Sequence, residues 1–153
     1  MSADSPFENG PFLSAAFFCE KILTEKDGVP SAIRIVDRVE RSSSDPDAPE
    51  HMEPFTYALT LFISLKSGSA RGDRQLKIAM VKPSGEYALP AFQTVHFEGE
   101  DDQGVAIVVE MKLGFDLEGL YWFELELNDV LLTRVPLRVI YTRGIKQLDA
   151  SGV

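Results

Sequence analysis

The sequence predicts an all-β fold, an antiparallel sandwich of about seven to eight strands with immunoglobulin-like or C2-like Greek-key connections. Three observations predict it. Phe55 to Lys66 alternates strictly: Phe55, Tyr57, Leu59, Leu61, Ile63 and Leu65 fall on one face, and Thr56, Ala58, Thr60, Phe62, Ser64 and Lys66 on the other. That period of two matches a sheet with one face on a core. A second alternating pair closes the chain. Tyr121, Phe123, Leu125 and Leu127 run up to Asn128-Asp129, and Leu131, Val135, Leu137, Val139 and Tyr141 run back. Finally, helix signals are weak everywhere outside Leu13 to Thr24.

The elements follow in chain order. Met1 to Pro11 is rich in turn formers and reads as a flexible arm. Leu13 to Thr24 has two readings. A helix would gather Phe12, Ala16, Cys19 and Leu23 on one face, whereas a strand would be a nearly continuous buried segment. The Asp27-Gly28 pair that follows is a hairpin signal, because both residues tolerate positive φ. Ala32 to Val39 is β-branched and alternating, so Leu13 to Val39 is expected as a hairpin. Arg41 to Pro54, with three consecutive serines and three prolines, reads as a long polar loop. Ser67 to Arg74 is expected as a polar turn, Leu76 to Val81 as a strand, Pro83-Ser84-Gly85 as a turn and Thr94 to Glu98 as a short strand. After an acidic loop, Glu98 to Gln103, comes a strand through Val105, Ile107, Val109, Met111 and Leu113. The expected domain spans residues 12–143, with a frayed tail at 144–153. Leu117-Glu118-Gly119-Leu120-Tyr121 has the look of a tyrosine corner, in which a Tyr near a strand start bonds back to upstream backbone.

The chain has 153 residues, the size of one ordinary domain. A net charge of −9 disfavours nucleic acid, whose binders need a basic surface to displace counterions from phosphates. It equally disfavours anionic membranes. Cys19 is the single cysteine and has no intramolecular disulfide partner. The N-terminus lacks the basic start and apolar run of a signal peptide. No segment approaches the roughly 20 apolar residues of a membrane span. A cytoplasmic location is the expectation.

Phe18-Cys19-Glu20, Asp27-Gly28, Ser31 to Asp37 and the late Gly119-Leu120-Tyr121 hairpin together resemble an uncharacterised family of short bacterial β-domain proteins. The resemblance covers most of the chain. It implies a bacterial origin and a β-sandwich, and it brings no catalytic role.

The residues themselves point the same way. Cys19 has no histidine at a telling distance, since the two histidines are His51 in the polar loop and His96 in the short strand. No Gly-x-Ser-x-Gly elbow, phosphate-cradling glycine loop or zinc spacing is present. A non-catalytic protein without a cofactor is therefore expected. Arg71-Gly72-Asp73 reads as an incidental turn. Calcium is the one metal with any candidate ligands, the hard oxygens of Glu98, Glu100, Asp101 and Asp102. A solvated acidic loop explains the same residues.

Two surfaces stand out as candidate sites. Glu20, Arg34, Asp37 and Arg38 place charges within otherwise apolar strands, which is costly unless they pair. They read either as cross-strand ion pairs or as a polar recognition site. Trp122 falls on the face opposite Tyr121 and Phe123, beside Glu124 and Glu126, and Phe62 occupies the corresponding face of its own strand. An exposed aromatic flanked by carboxylates suits an anchor for another protein or for a second copy of the chain. The leading functional expectation is a protein-interaction module. The alternatives are a carbohydrate- or calcium-binding sandwich and an uncharacterised enzyme.

Overall fold

A computed structural model of the chain describes residues 9–100 and 102–144, and nine strands run through them. They are β1 (Phe12–Thr24), β2 (Pro30–Val36), β3 (Arg38–Ser43), β4 (Phe55–Lys66), β5 (Arg71–Val81), β6 (Ala91–Glu98), β7 (Gly104–Phe115), β8 (Gly119–Leu127) and β9 (Val130–Arg143). The strands form a four-stranded sheet, β2-β1-β4-β7, and a five-stranded sheet, β3-β9-β8-β5-β6. Neighbouring strands are antiparallel except β3 and β9, which run parallel. The all-β expectation holds, with two sheets sharing one core, but the strands number nine rather than seven to eight and one pair is parallel, because β3 forms where a polar loop is expected.

That core is built from the alternating faces. Leu59, Leu61, Ile63 and Leu65 of β4 meet Tyr121, Phe123 and Leu125 of β8, Leu76 and Ile78 of β5 and Leu137 and Val139 of β9. Each such side chain contributes about 1.5–3 kcal/mol when fully removed from water. Phe18 of β1 reaches Phe123 of the other sheet, ring centres 4.7 Å apart in an edge-on arrangement. Leu13 to Thr24 is therefore strand, and the helical alternative is overturned. Successive side chains go to opposite faces, so Phe17 turns away from the core that Phe18 enters.

The expected first hairpin forms between β1 and β2, with Gly28 at φ +86° in its loop. It ends at Val36, however, and Val39 belongs to the other sheet. The chain crosses between sheets at Asp37, and Val39 then buries itself beside Val139. The beginning of the expected polar loop is thus β3. Its polar side chains face solvent, while its main chain bonds to β9 and Ser42 Oγ pairs with Thr142 Oγ1 at 2.9 Å.

Three further boundaries differ. Arg71-Gly72-Asp73 lies inside β5, and the turn is confined to Ser67–Ala70, closed by the Ala70 N–H donating to the Ser67 carbonyl. β6 starts at Ala91, three residues before the expected short strand. Leu131 is half exposed, because a bulge at Leu125/Glu126 changes the phase of the β8–β9 ladder and Leu132 packs inward instead.

The tyrosine corner is present in its hydrogen bonds. The Tyr121 hydroxyl donates to the Leu117 carbonyl at 2.7 Å and accepts from the Leu117 N–H at 3.1 Å. Within the expected arm, Asn9 is fastened by Ser69, whose N–H and Oγ both donate to its carbonyl. Gly10 is required there. Its φ is +58°, and a Cβ would stand 2.6 Å from the Ser67 carbonyl oxygen. Residues 1–8 of the arm and 145–153 of the tail lie outside the described residues. No helix among the described residues is long and apolar enough to cross a membrane.

Candidate functional site

The inward set of β8 obliges Trp122, Glu124 and Glu126 to share its outward face. Opposite them stand Val81, Ala79 and Lys77 of β5 on one side, and Pro136, Arg134 and Leu131 of β9 on the other. The Arg134 guanidinium lies 4.5 Å from the centre of the Trp122 ring. Its Nε sits 3.3 Å from Glu124 Oε2, while the Tyr87 hydroxyl donates to Glu124 Oε1 at 2.8 Å. That bond to a carboxylate pushes the Tyr87 phenol above its ordinary range. Glu126 pairs with Lys77 at 3.4 Å. The two carboxylates beside Trp122 are thus each met by a cation, and Glu124 by a hydroxyl too.

This cluster continues into the chain between β5 and β6. Tyr87 bridges to Val81, the β5 neighbour of Trp122, and the Ala88 N–H donates to the Met80 carbonyl. The segment is therefore tied down by backbone, yet it presents Tyr87 at 64% and Leu89 at 97% exposure, and Phe92 at the start of β6 is 55% exposed. Phe92 stands opposite Lys77 and so shares the outward face with Glu126. Sequence reasoning missed Tyr87, Leu89, Phe92 and Arg134. Counting back from the Asn128-Asp129 turn does not place Arg134 opposite Glu124, because the bulge adds one residue to the count.

Phe62 does not join them. It lies in the four-stranded sheet, is only 9% exposed and stacks on Phe17 at 5.3 Å. Strand alternation assigns a face, and the two faces in question belong to different sheets.

Glu20, Arg34, Asp37 and Arg38 do come together. They line one shallow cleft of about 380 Å³ where the chain crosses from β2 to β3, with Glu40 and Tyr57 beside them. The charges are paired: Arg34 Nε donates to Glu20 Oε1 at 2.8 Å, and Arg38 Nε to Asp37 Oδ1 at 3.2 Å. Arg34 has φ +55°, an uncommon conformation for a side-chain-bearing residue, and it interrupts the β1–β2 ladder between Ile33 and Ile35.

The acidic loop shows no comparable convergence. Glu98 ends β6 with Oε1 3.5 Å from His96 Nε2, and Glu100 and Asp102 follow in the connection to β7. Asp101 lies outside the described residues. Among the described residues no three of His, Cys, Asp or Glu gather as a metal site would require. His96 Nδ1 lies 2.8 Å from Asp73 Oδ1 on exposed surface, which raises the imidazole pKa. His51 is exposed in the β3–β4 connection. Cys19 is buried, and burial pushes its thiol up, away from the reactive thiolate.

The fold defines the class: a two-sheet, all-β domain. Within it, the chain belongs to a family of unknown function, DUF6941, whose family model matches residues 14–140. No curated protein matches the chain. Among solved structures it is similar to the Pseudomonas fluorescens alkylpurine DNA glycosylase AlkC bound to DNA containing an abasic site analog. That likeness has 11% sequence identity and a TM-score of 0.40, covering 82% of this chain and 30% of the glycosylase chain.

Proposed function

We propose that the chain is a non-catalytic protein-interaction module that binds a partner through the outer face of its five-stranded sheet, around Trp122. The observation that carries this reading is the concentration of large exposed side chains there. Tyr87 bridges to Val81, the β5 neighbour of a tryptophan held under an arginine, and Leu89 and Phe92 follow it towards and into β6. Trp, Tyr and Arg dominate the residues that carry binding energy at protein interfaces. An aromatic held in place before binding loses little entropy on association. A leucine left 97% exposed gives this domain no packing.

The finer fold reading is an immunoglobulin-like Greek key. It is supported by the β3-β9-β8-β5-β6 order, by the parallel β3–β9 pairing after a sheet crossover, and by the Tyr121–Leu117 corner. A cytoplasmic setting belongs to the same reading, supported by a single buried cysteine.

The test is affinity capture from the native host with the wild-type chain, Trp122→Ala and Leu89→Ser as parallel baits. The expected result is a partner recovered by the wild type and lost from both variants, with unchanged circular dichroism. Equal recovery by all three contradicts the site.

A further inference from the structure

We infer that the chain forms a two-fold dimer by antiparallel pairing of β7 with β7 of a second copy, centred on Met111. Four strands lie at sheet edges among the described residues: β2, β7, β3 and β6. Natural proteins protect such edges, because unpaired N–H and C=O groups invite another strand. Three of the four carry a protection. β2 starts at Pro30 and is broken by Arg34 at φ +55°. β3 is short, at six residues, and charged. β6 is preceded by Pro90 and has His96 and Glu98 in its last three residues.

β7 has neither the proline, the break nor the shortness of the others, and its two charges, Glu110 and Lys112, are of opposite sign. It is 12 residues long, contains no proline and pairs with β4 without a bulge from Gly104↔Lys66 to Phe115↔Phe55. Among the described residues no strand pairs with its other edge. Its core-directed side chains Val105, Val109 and Met111 remain only partly buried, whereas Ile107 and Leu113 are covered. A further strand on this edge would complete their burial.

The sequence of β7 selects a second copy as that strand, in one register. Side chains directly opposite in an antiparallel pair share a face. Glu110 and Lys112 are both exposed on the outer face. A two-fold axis at Met111 sets Glu110 against Lys112 of the second copy, twice. It also sets Val108, 44% exposed, against Gly114, where a Cβ would meet open space. On the core side Val109 then meets Leu113, and Ile107 meets Phe115. Moving the axis by one residue sets Glu110 against Glu110, or Lys112 against Lys112. Like charges directly opposite destabilise a ladder. The Trp122 face belongs to the other sheet and is left free, so this dimer and the proposed partner site stand or fall separately.

Charge exchange tests it. Glu110 and Lys112 are exposed, so Glu110→Lys and Lys112→Glu leave the fold intact, which circular dichroism checks. Sedimentation equilibrium over a wide concentration range is expected to give the wild type twice the 17.0 kDa of one chain, and each variant alone 17.0 kDa. An equimolar mixture of the two variants is expected to return to twice that mass, since each supplies the charge the other needs. A wild type that stays at 17.0 kDa overturns the proposal. So does a dimer that persists in either variant alone, or a mixture that remains monomeric.

Discussion

Arg134 lies over Trp122, with the guanidinium carbon 4.5 Å from the ring centre, while its Nε reaches Glu124 at 3.3 Å. One side chain thus covers an aromatic face and holds a carboxylate beside it. Trp122 is the single tryptophan of the chain, so its fluorescence reports this site alone. Arg134→Ala is expected to raise acrylamide quenching of that fluorescence and to lower stability by about 0.5–1 kcal/mol, the worth of an exposed cation–π contact. Unchanged quenching would mean that the stack does not persist in solution.

Tyr121 is expected to matter through one oxygen. Its ring is buried against Phe115, and its hydroxyl both donates to and accepts from the backbone of Leu117. Tyr121→Phe keeps the ring and strands those two backbone groups, which costs about 1–3 kcal/mol. Urea denaturation measures the loss. Burial pushes the phenol above its ordinary value of 10.0, so the native state holds its proton more firmly than the unfolded chain does. Stability contributed by the neutral phenol therefore declines as pH rises beyond 10, and the Phe variant is expected to lack that decline.

His96 gives the pH dependence near neutrality. The bond to Asp73 Oδ1, with Glu98 nearby, raises its pKa above the ordinary 6.5. A raised folded-state value means that its contribution is fully present below pH 6.5 and fades as pH rises through the folded pKa. Asp73→Asn is expected to move the His96 titration, followed by the imidazole proton shifts, to lower pH. An unmoved midpoint would show that the pair does not form.

Legibility in the sequence followed how completely a strand's own side chains declare its environment. β4 and β8 were readable because one whole face is apolar. β3 was not, since Val39 is its only buried residue and the edge strand spends its other side chains on water. The grouping of Trp122, Glu124 and Glu126 was readable because alternate residues of one strand share a face whatever the register. Arg134 reaches them across a bulged ladder and Tyr87 from a connection, and neither position follows from local periodicity. Phe62 was grouped with Trp122 because alternation gives a face without saying which sheet it belongs to. The Arg34 and Glu20 pairing was legible from cost alone, since charges within a strand pattern call for partners.

The central claim is that the Trp122 face is where a partner protein docks. Hydroxyl-radical footprinting of side chains, with the captured partner present and absent, tests it most directly. The account predicts that oxidation of Trp122, Tyr87, Leu89 and Phe92 falls together on binding. Unchanged oxidation of these four, with protection appearing on another surface, would contradict it.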